Sequence, residues 1–438
     1  MRYSITKEFT MPSLVGFALP TVVMMIFSSL YTVVDGIFVS RFIGTDALSA
    51  LNIVFPLTNV ALGLGIMLGT GGSAVVARRM GEGRGRAARE NFSLIVLFGF
   101  LAGTLFAVVG TSHIDPLIRF LGSSERLTPL CREYLRVLLW FMPLQILQVI
   151  FQSFFVTAGR PDLGLFLTVL AGLANAALDY LFIVPLGMGI AGAAWATVIG
   201  YSIPATAGIL YFMRPRGELY FAPPRPDNYA LLQSCFNGSS EMVSTLASSI
   251  VTFLFNGIMM RYFGEDGVAA ITIVLYAQFL FSALFLGFSS GVAPIISFNF
   301  GSGNTSRLSR IYRICLKIIA VSSAGIFLAS LLLASPVVAV FSPRGTAAYD
   351  IAMRGFVLFS TSYLFTGVNI FASSLFTALS DGKVSAIISF MRTFVFILLL
   401  PLFMEVNGIW LAVPFAEFFA LMLSLRFLTA KRRVYRYA

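Results

Sequence analysis

The chain has 438 residues, of which 58% are hydrophobic and only 11% charged, with a mean hydropathy of +0.89. Soluble domains are about half apolar and a quarter charged, so water is not the main solvent of this chain. The net charge of +11 does not point to nucleic acid, because Lys and Arg gather at the ends of apolar runs, where they report topology.

A spanning helix needs about 20 mostly apolar residues, and the sequence predicts twelve such stretches, separated by polar or Gly/Pro-marked breaks. Runs such as SLIVLFGFLAGTLFAVVG do not alternate, which excludes a β-barrel. The start MRYSITKEFTMPSLVGFALP has charges but no small-residue cleavage site, so helix 1 is expected to stay. Most of the basic residues fall on the side of both termini, above all in RRMGEGRGRAARE, RPRGELYFAPPRP and the final KRRVYRYA. The positive-inside rule then places both termini in the cytoplasm, with Arg119, Arg126, Arg132 and Arg136 as the dissenting cluster.

Helix 1 carries Asp35, and Asp46 after Gly44 reads as the N-cap of helix 2, as does Asp266 for helix 8. Gln148 and Gln152 stand one turn apart in helix 4 and are candidates for polar cavity contacts. In helix 5, Asn175 and Asp179 are four residues apart, on one face, and share a ligand's reach. Helix 6 follows the short turn PLGMGIAGA, so it is antiparallel to helix 5, and Thr197 at its middle approaches the depth of Asp179. Residues 214–228 are rich in Pro and charge and read as a flexible cytoplasmic linker. Beyond it, Glu241 lies early in helix 7, Arg392 within helix 11, Glu405 in an outer loop and Glu417 in helix 12. Glu241 has the alternative of a place near the cytoplasmic surface, and Glu417 that of facing lipid headgroups. Pro20, Pro56, Pro143, Pro204 and Pro294 interrupt helices, which are expected to bend. Cys131, Cys235 and Cys315 are isolated and read as packing residues, and the sole His113 lies in an outer loop.

A shift of 220 residues aligns the chain with itself: Arg41 meets Arg261, Gly44 Gly264, Asp46 Asp266, Gly71 Gly291, Gly81 Gly301, Gly83 Gly303, and Thr157 Thr377. The expected fold is therefore an all-α integral membrane protein of twelve helices. Two six-helix bundles, residues 1–213 and 229–438, are related by a pseudo-two-fold axis along the membrane normal. Phe255 and Thr21 stand where the shift would repeat Asp35 and Glu241, so these acids are not demanded by the shared frame. An ionised side chain at the bilayer centre costs about 3 kcal/mol, which marks such acids as functional candidates. Two carboxylates with an amide and a hydroxyl suit a proton or a hard cation such as sodium.

LYTVVDGIFVSRFIGTDALSA and, more closely, NAALDYLFIVPLGMGIAGAAWAT resemble segments of the multidrug and toxic compound extrusion (MATE) family, as do MGEG and its counterpart FGSG. The likeness covers essentially the whole chain and points to the branch of the bacterial DinF and MepA relatives. It implies an antiporter of the bacterial inner membrane that exports small organic cations in exchange for H+ or Na+, as a monomer, without a cofactor or nucleic-acid partner. Carried over residue by residue, the coupling site falls on Asp35, Asn175, Asp179 and Thr197, with Glu241 as an acid for substrate or ion. The family's helix 10 acid has no counterpart here. A lipid-linked oligosaccharide flippase of the same superfamily is the alternative, but it calls for a cationic cavity where this chain places acids. A membrane enzyme is disfavoured because no nucleophile or metal motif accompanies His113.

Overall fold

The computed structural model describes residues 5–215 and 217–437, with the side chains of all but 31–37, 40, 45, 396, 398 and 402–406 among them. In chain order the helices are α1 (Met11–Phe42), α2 (Thr45–Gly81), α3 (Gly85–Ser112), α4 (Ile114–Phe120), α5 (Thr128–Trp140), α6 (Met142–Thr157), α7 (Pro161–Ile183) and α8 (Gly189–Phe212). The second half continues with α9 (Asn228–Gly301), α10 (Thr305–Phe341), α11 (Ala347–Ser360), α12 (Tyr363–Ala378) and α13 (Gly382–Phe390). A π-turn, Met391–Val395, leads into α14 (Phe396–Ala430) and α15 (Arg432–Tyr435). No strand occurs among the described residues.

By length and apolarity nine of these segments are able to cross a membrane, or eleven if each of two bent pairs is one span. The bent pairs are α5 with α6, at 56°, and α11 with α12, at 54°. At 1.5 Å per residue the 74 residues of α9 would run about 110 Å, more than three times the hydrocarbon thickness of about 30 Å. Its helix is broken at Gly264, where φ is 60° and ψ −145°. The break repeats Gly44, which separates α1 from α2 at φ 118°. Only glycine takes such backbone angles without a steric penalty, so both corners are written in the sequence.

Thr10 and Ser13 form a reciprocal capping box that starts α1. Asp46, expected as an N-cap, instead sits in the first turn of α2 behind Gly44, where its carboxylate pairs with Arg126. A negative charge there still complements the positive end of the helix dipole.

The two halves pack through α1 and α2 on α9. The closest approach is at the end of α2 and of α9, where a Cβ on Gly81 would stand 2.1 Å from Phe298 O, and one on Gly301 2.2 Å from Arg78 O. These contacts exchange under the 220-residue shift, since Arg78 and Phe298 are themselves partners in it. Arg78 also lies over the Phe300 ring, 5.2 Å from its centroid. On the same side Arg307 joins Glu8 at 3.0 Å, tying residues 5–10 to the start of α10.

The linker is not free. Phe221 stacks on Phe92 at 5.1 Å, against a buried cluster of Phe151, Phe154, Phe155 and Phe212. Its N–H donates to Phe212 O (2.9 Å), Ala222 N–H donates to Ser93 Oγ (2.9 Å), and Arg89 reaches Tyr220 Oη (2.8 Å). The expectation of a flexible connection over 214–228 is corrected accordingly: aromatic burial holds its middle to α3 and α8, and only the proline-rich stretch before Asp227 bridges the halves.

Candidate functional site

Asn175 and Asp179 are 1% exposed and Thr197 5%, on two apolar antiparallel helices, with Asp179 four residues before the end of α7. Small residues let α7 and α8 meet: a Cβ on Gly200 would lie 3.3 Å from Asn175 Cβ. One turn along each helix, in opposite directions, that register brings Asp179 level with Thr197. The structure thus brings three of the four predicted coupling residues to within about one helical turn in depth. The side-chain oxygen and nitrogen of Asn175 and the hydroxyl of Thr197 have no hydrogen-bond partner among the described residues. Leaving a buried polar group unpaired costs about 1–3 kcal/mol, so the set is a candidate for a ligand site. With the Asp179 carboxylate it offers oxygen donors that fit a hard cation or a proton.

The fourth predicted residue, Asp35, has its side chain outside the described residues, as does Glu405. Its helix α1 packs along α7, and Met24 Sδ would lie 3.9 Å from a Cβ on Gly164. Eleven residues further on in both parallel helices, position 35 comes level with position 175.

Gln152 is half-buried and donates through Nε2 to Thr168 Oγ1 (3.3 Å) on α7, two turns from Asn175 on the same face. Gln148 is half-buried one turn away. The buried Gln145 completes this polar stripe; the sequence reading passed over it, although 145, 148 and 152 mark one face of a helix.

In the second half, Glu241 lies thirteen residues into α9, about 20 Å from its start, so it is deep in the span rather than at the surface. Its carboxylate accepts no hydrogen bond and joins no ion pair among the described residues, while the Arg392 guanidinium acts on it through space. Glu417 is also not at a headgroup surface: it is 3% exposed. It takes Arg392 in a fork, with Nε to Oε1 at 3.0 Å, Nε to Oε2 at 3.1 Å and Nη2 to Oε1 at 2.9 Å. Asn369 Nδ2 donates to its Oε2 at 2.7 Å, and Ser424 Oγ donates to Asn369 Oδ1 at 2.8 Å. The sequence reading named both charges but not their union, which spans two helices and a π-turn.

A family model described as MatE matches residues 20–181 and 242–402, most of the chain and one copy in each half. The chain belongs to the MatE family. Multidrug export protein MepA of Staphylococcus saprophyticus is 21% identical over 412 residues, covering 93% of this chain and 90% of that protein. An FAD transporter of Shewanella oneidensis is 24% identical over 341 residues, 75% of this chain and 74% of that protein. Among solved structures, an outward-facing multidrug resistance MATE family transporter of the MOP superfamily superposes with a TM-score of 0.91 at 21% identity, covering 99% of this chain and 98% of that one. A MATE in complex with MaD3S gives 0.90 at 22%, over 97% and 96%. These likenesses establish the fold of a multi-pass membrane transporter; the site residues are this chain's own.

Proposed function

We propose that this MatE protein is a secondary antiporter that exports small organic cations in exchange for H+ or Na+ by alternating access. The observation that carries the reading is the set of unpaired buried atoms of Asn175 and Thr197 within about one helical turn of Asp179 in depth. The curated relatives named as multidrug export proteins support the same direction of transport.

In this reading α9 counts as two spans at Gly264, giving twelve helices in two six-helix lobes, 1–213 and 229–438, joined by 214–228. The exchanged contacts of Gly81 and Gly301 support a pseudo-two-fold relation between them. With both termini cytoplasmic and the chain in the inner membrane of a bacterium, those contacts form the barrier between cavity and cytoplasm. A single chain holds the whole site, so the working unit is a monomer.

A proton or sodium ion entering at Asp179, with Asp35, Asn175 and Thr197 around it, neutralises the site. That removes both the attraction for a cationic drug and the penalty of a buried charge, so ion entry and drug release are linked. Glu241, with its carboxylate unpaired, is the acid that meets the drug in the second lobe, while Gln148 and Gln152 supply neutral polar contacts in the first.

The test is efflux of ethidium from proteoliposomes under an imposed pH or sodium gradient, for the wild type, Asp35→Asn and Asp179→Asn. Efflux driven by one gradient and absent from both variants supports the reading and names the ion. Gradient-driven efflux that persists in both variants overturns the coupling site, and efflux of an anionic flavin dinucleotide alone overturns the substrate class.

A further inference from the structure

The buried fork between Glu417 and Arg392 takes no part in the proposed coupling site, yet it sits in mid-span. Arg392 is ten residues from the start of the span Gly382–Pro401, and Glu417 is ten residues into Asn407–Ala430. Charges at that depth are expensive and tend to be functional, so an arginine there needs a reason.

The surroundings supply one. Ser385 Oγ donates to Ser240 Oγ (2.9 Å), and Ser373 Oγ lies 2.8 Å from Ser385 Oγ, which fixes α13 in register with α9. From that level Glu241 is one residue on and Arg392 seven, so about 9 Å of rise separates them. Extended arginine and glutamate side chains together cover such a gap. Arg392 nevertheless turns to Glu417, where it makes three hydrogen-bond contacts, and Glu417 is itself held by Asn369 and Ser424. The side chains of Arg392 and Glu417 are only 16% and 4% exposed, so little water competes for the pair. Glu241 is left without a hydrogen-bond or ion-pair partner among the described residues.

We propose that Glu417 is a positioning residue: by holding Arg392 in a buried fork it keeps the guanidinium off Glu241 and so preserves an anionic contact for a cationic substrate. The inference rests on the reading of Glu241 as that contact. A cation in the membrane interior must find an anion; Arg392 has Glu417 in contact, and Glu241 interacts with it through space. When Glu417 loses its charge, Arg392 pairs with Glu241, and the second-lobe site turns neutral.

The experiment is equilibrium binding of radiolabelled tetraphenylphosphonium to the full chain in lipid nanodiscs. Glu241→Gln and Glu417→Gln should each weaken binding by about tenfold or more. The pair Glu241→Gln/Glu417→Gln should be no weaker than either alone, because both act on one contact. Arg392→Gln/Glu417→Gln should recover binding to within about threefold of the wild type. Melting temperatures taken beside the binding separate a freed arginine from a damaged fold, since an orphaned buried Arg392 that unfolds the chain would lower the melting temperature of Glu417→Gln and lose binding with it. Glu417→Gln binding like the wild type while Glu241→Gln does not would overturn the tether and spare the reading of Glu241. Loss in Glu417→Gln without rescue by the double variant would also overturn it. Wild-type binding by Glu241→Gln would overturn the reading of Glu241 itself.

Discussion

Replacing Gly81 and Gly301 by alanine separates two opposed effects. In an exposed helix interior, Gly to Ala stabilises by about 1 kcal/mol. Here a Cβ would stand 2.1 Å from Phe298 O or 2.2 Å from Arg78 O. Carbon and oxygen approach comfortably only to about 3.3 Å, so the ends of α2 and α9 must part by about 1 Å. The obstacle is backbone and does not swing aside, and overpacking of this kind costs about 1–3 kcal/mol. The double variant costs less than the sum, because one displacement relieves both clashes. The strain falls only on the state in which these ends touch, so it moves the balance between access states about 5- to 150-fold. Spin labels on Arg84→Cys and Thr305→Cys, in a Cys235→Ser background, report the separation by pulsed electron resonance. The distance distribution should shift from one short population toward a longer one. An unchanged distribution together with a raised melting temperature would refute the argument, since propensity alone would then account for the result.

Three further outcomes follow from particular contacts. Asn175→Leu removes two unpaired buried atoms, so without the coupling ion it should melt at or above the wild-type temperature. The extra stability that the coupling ion gives the wild type should vanish, and a variant that still gains it would refute the assignment. Phe221→Ala takes a half-buried ring from Phe92, a loss of about 1–2 kcal/mol, and cleavage after Glu218 by a glutamate-specific protease should rise about 5- to 30-fold. An unchanged cleavage rate would mean that the linker is held by its hydrogen bonds alone. Tyr435 Oη donates to Asp381 Oδ2 (2.7 Å), and burial first, then that hydrogen bond, pushes its phenol well above its ordinary value near 10. A raised value in the fold means stability that is full below pH 10 and lost as pH climbs past it, so Tyr435→Phe should flatten the alkaline limb of the stability curve. A limb as steep as the wild type's would place that loss elsewhere.

Within a helix the sequence is an explicit guide, because side chains three or four residues apart share a face. Asn175 and Asp179 were legible on that basis, and the glycine corners at 44 and 264 were legible because few residues take positive φ. Thr197 was legible through the short turn that makes α8 antiparallel to α7. Glu417 and Arg392 were not: they are joined across a π-turn that resets the helical phase, and spacing across separate helices carries no phase at all. The linker misled for another reason. Its prolines and charges dominate the composition of 214–228, while one ring, Phe221, decides where its middle rests.

The same frame carries two chemistries, and their difference follows from what each half must do. A site that captures and releases an ion must hold its ligands unpaired in at least one state, at a cost of about 1–3 kcal/mol per buried atom. Asn175 and Thr197 are in that condition. Glu417 is in the opposite one, with a permanent cation in Arg392 and an amide in Asn369. A carboxylate so saturated is poorly placed to take a mobile ion, so in the proposed cycle the second half contributes through Glu241. In the proposed cycle the ion then acts on one half and the drug's charge is read by both. The rocking that links them passes through backbone contacts, at Gly81 and Gly301, that are nearly the same on either side. Because these contacts close one access state only, and equally from both halves, it is the asymmetry in the side chains that would let a single ion decide between the states.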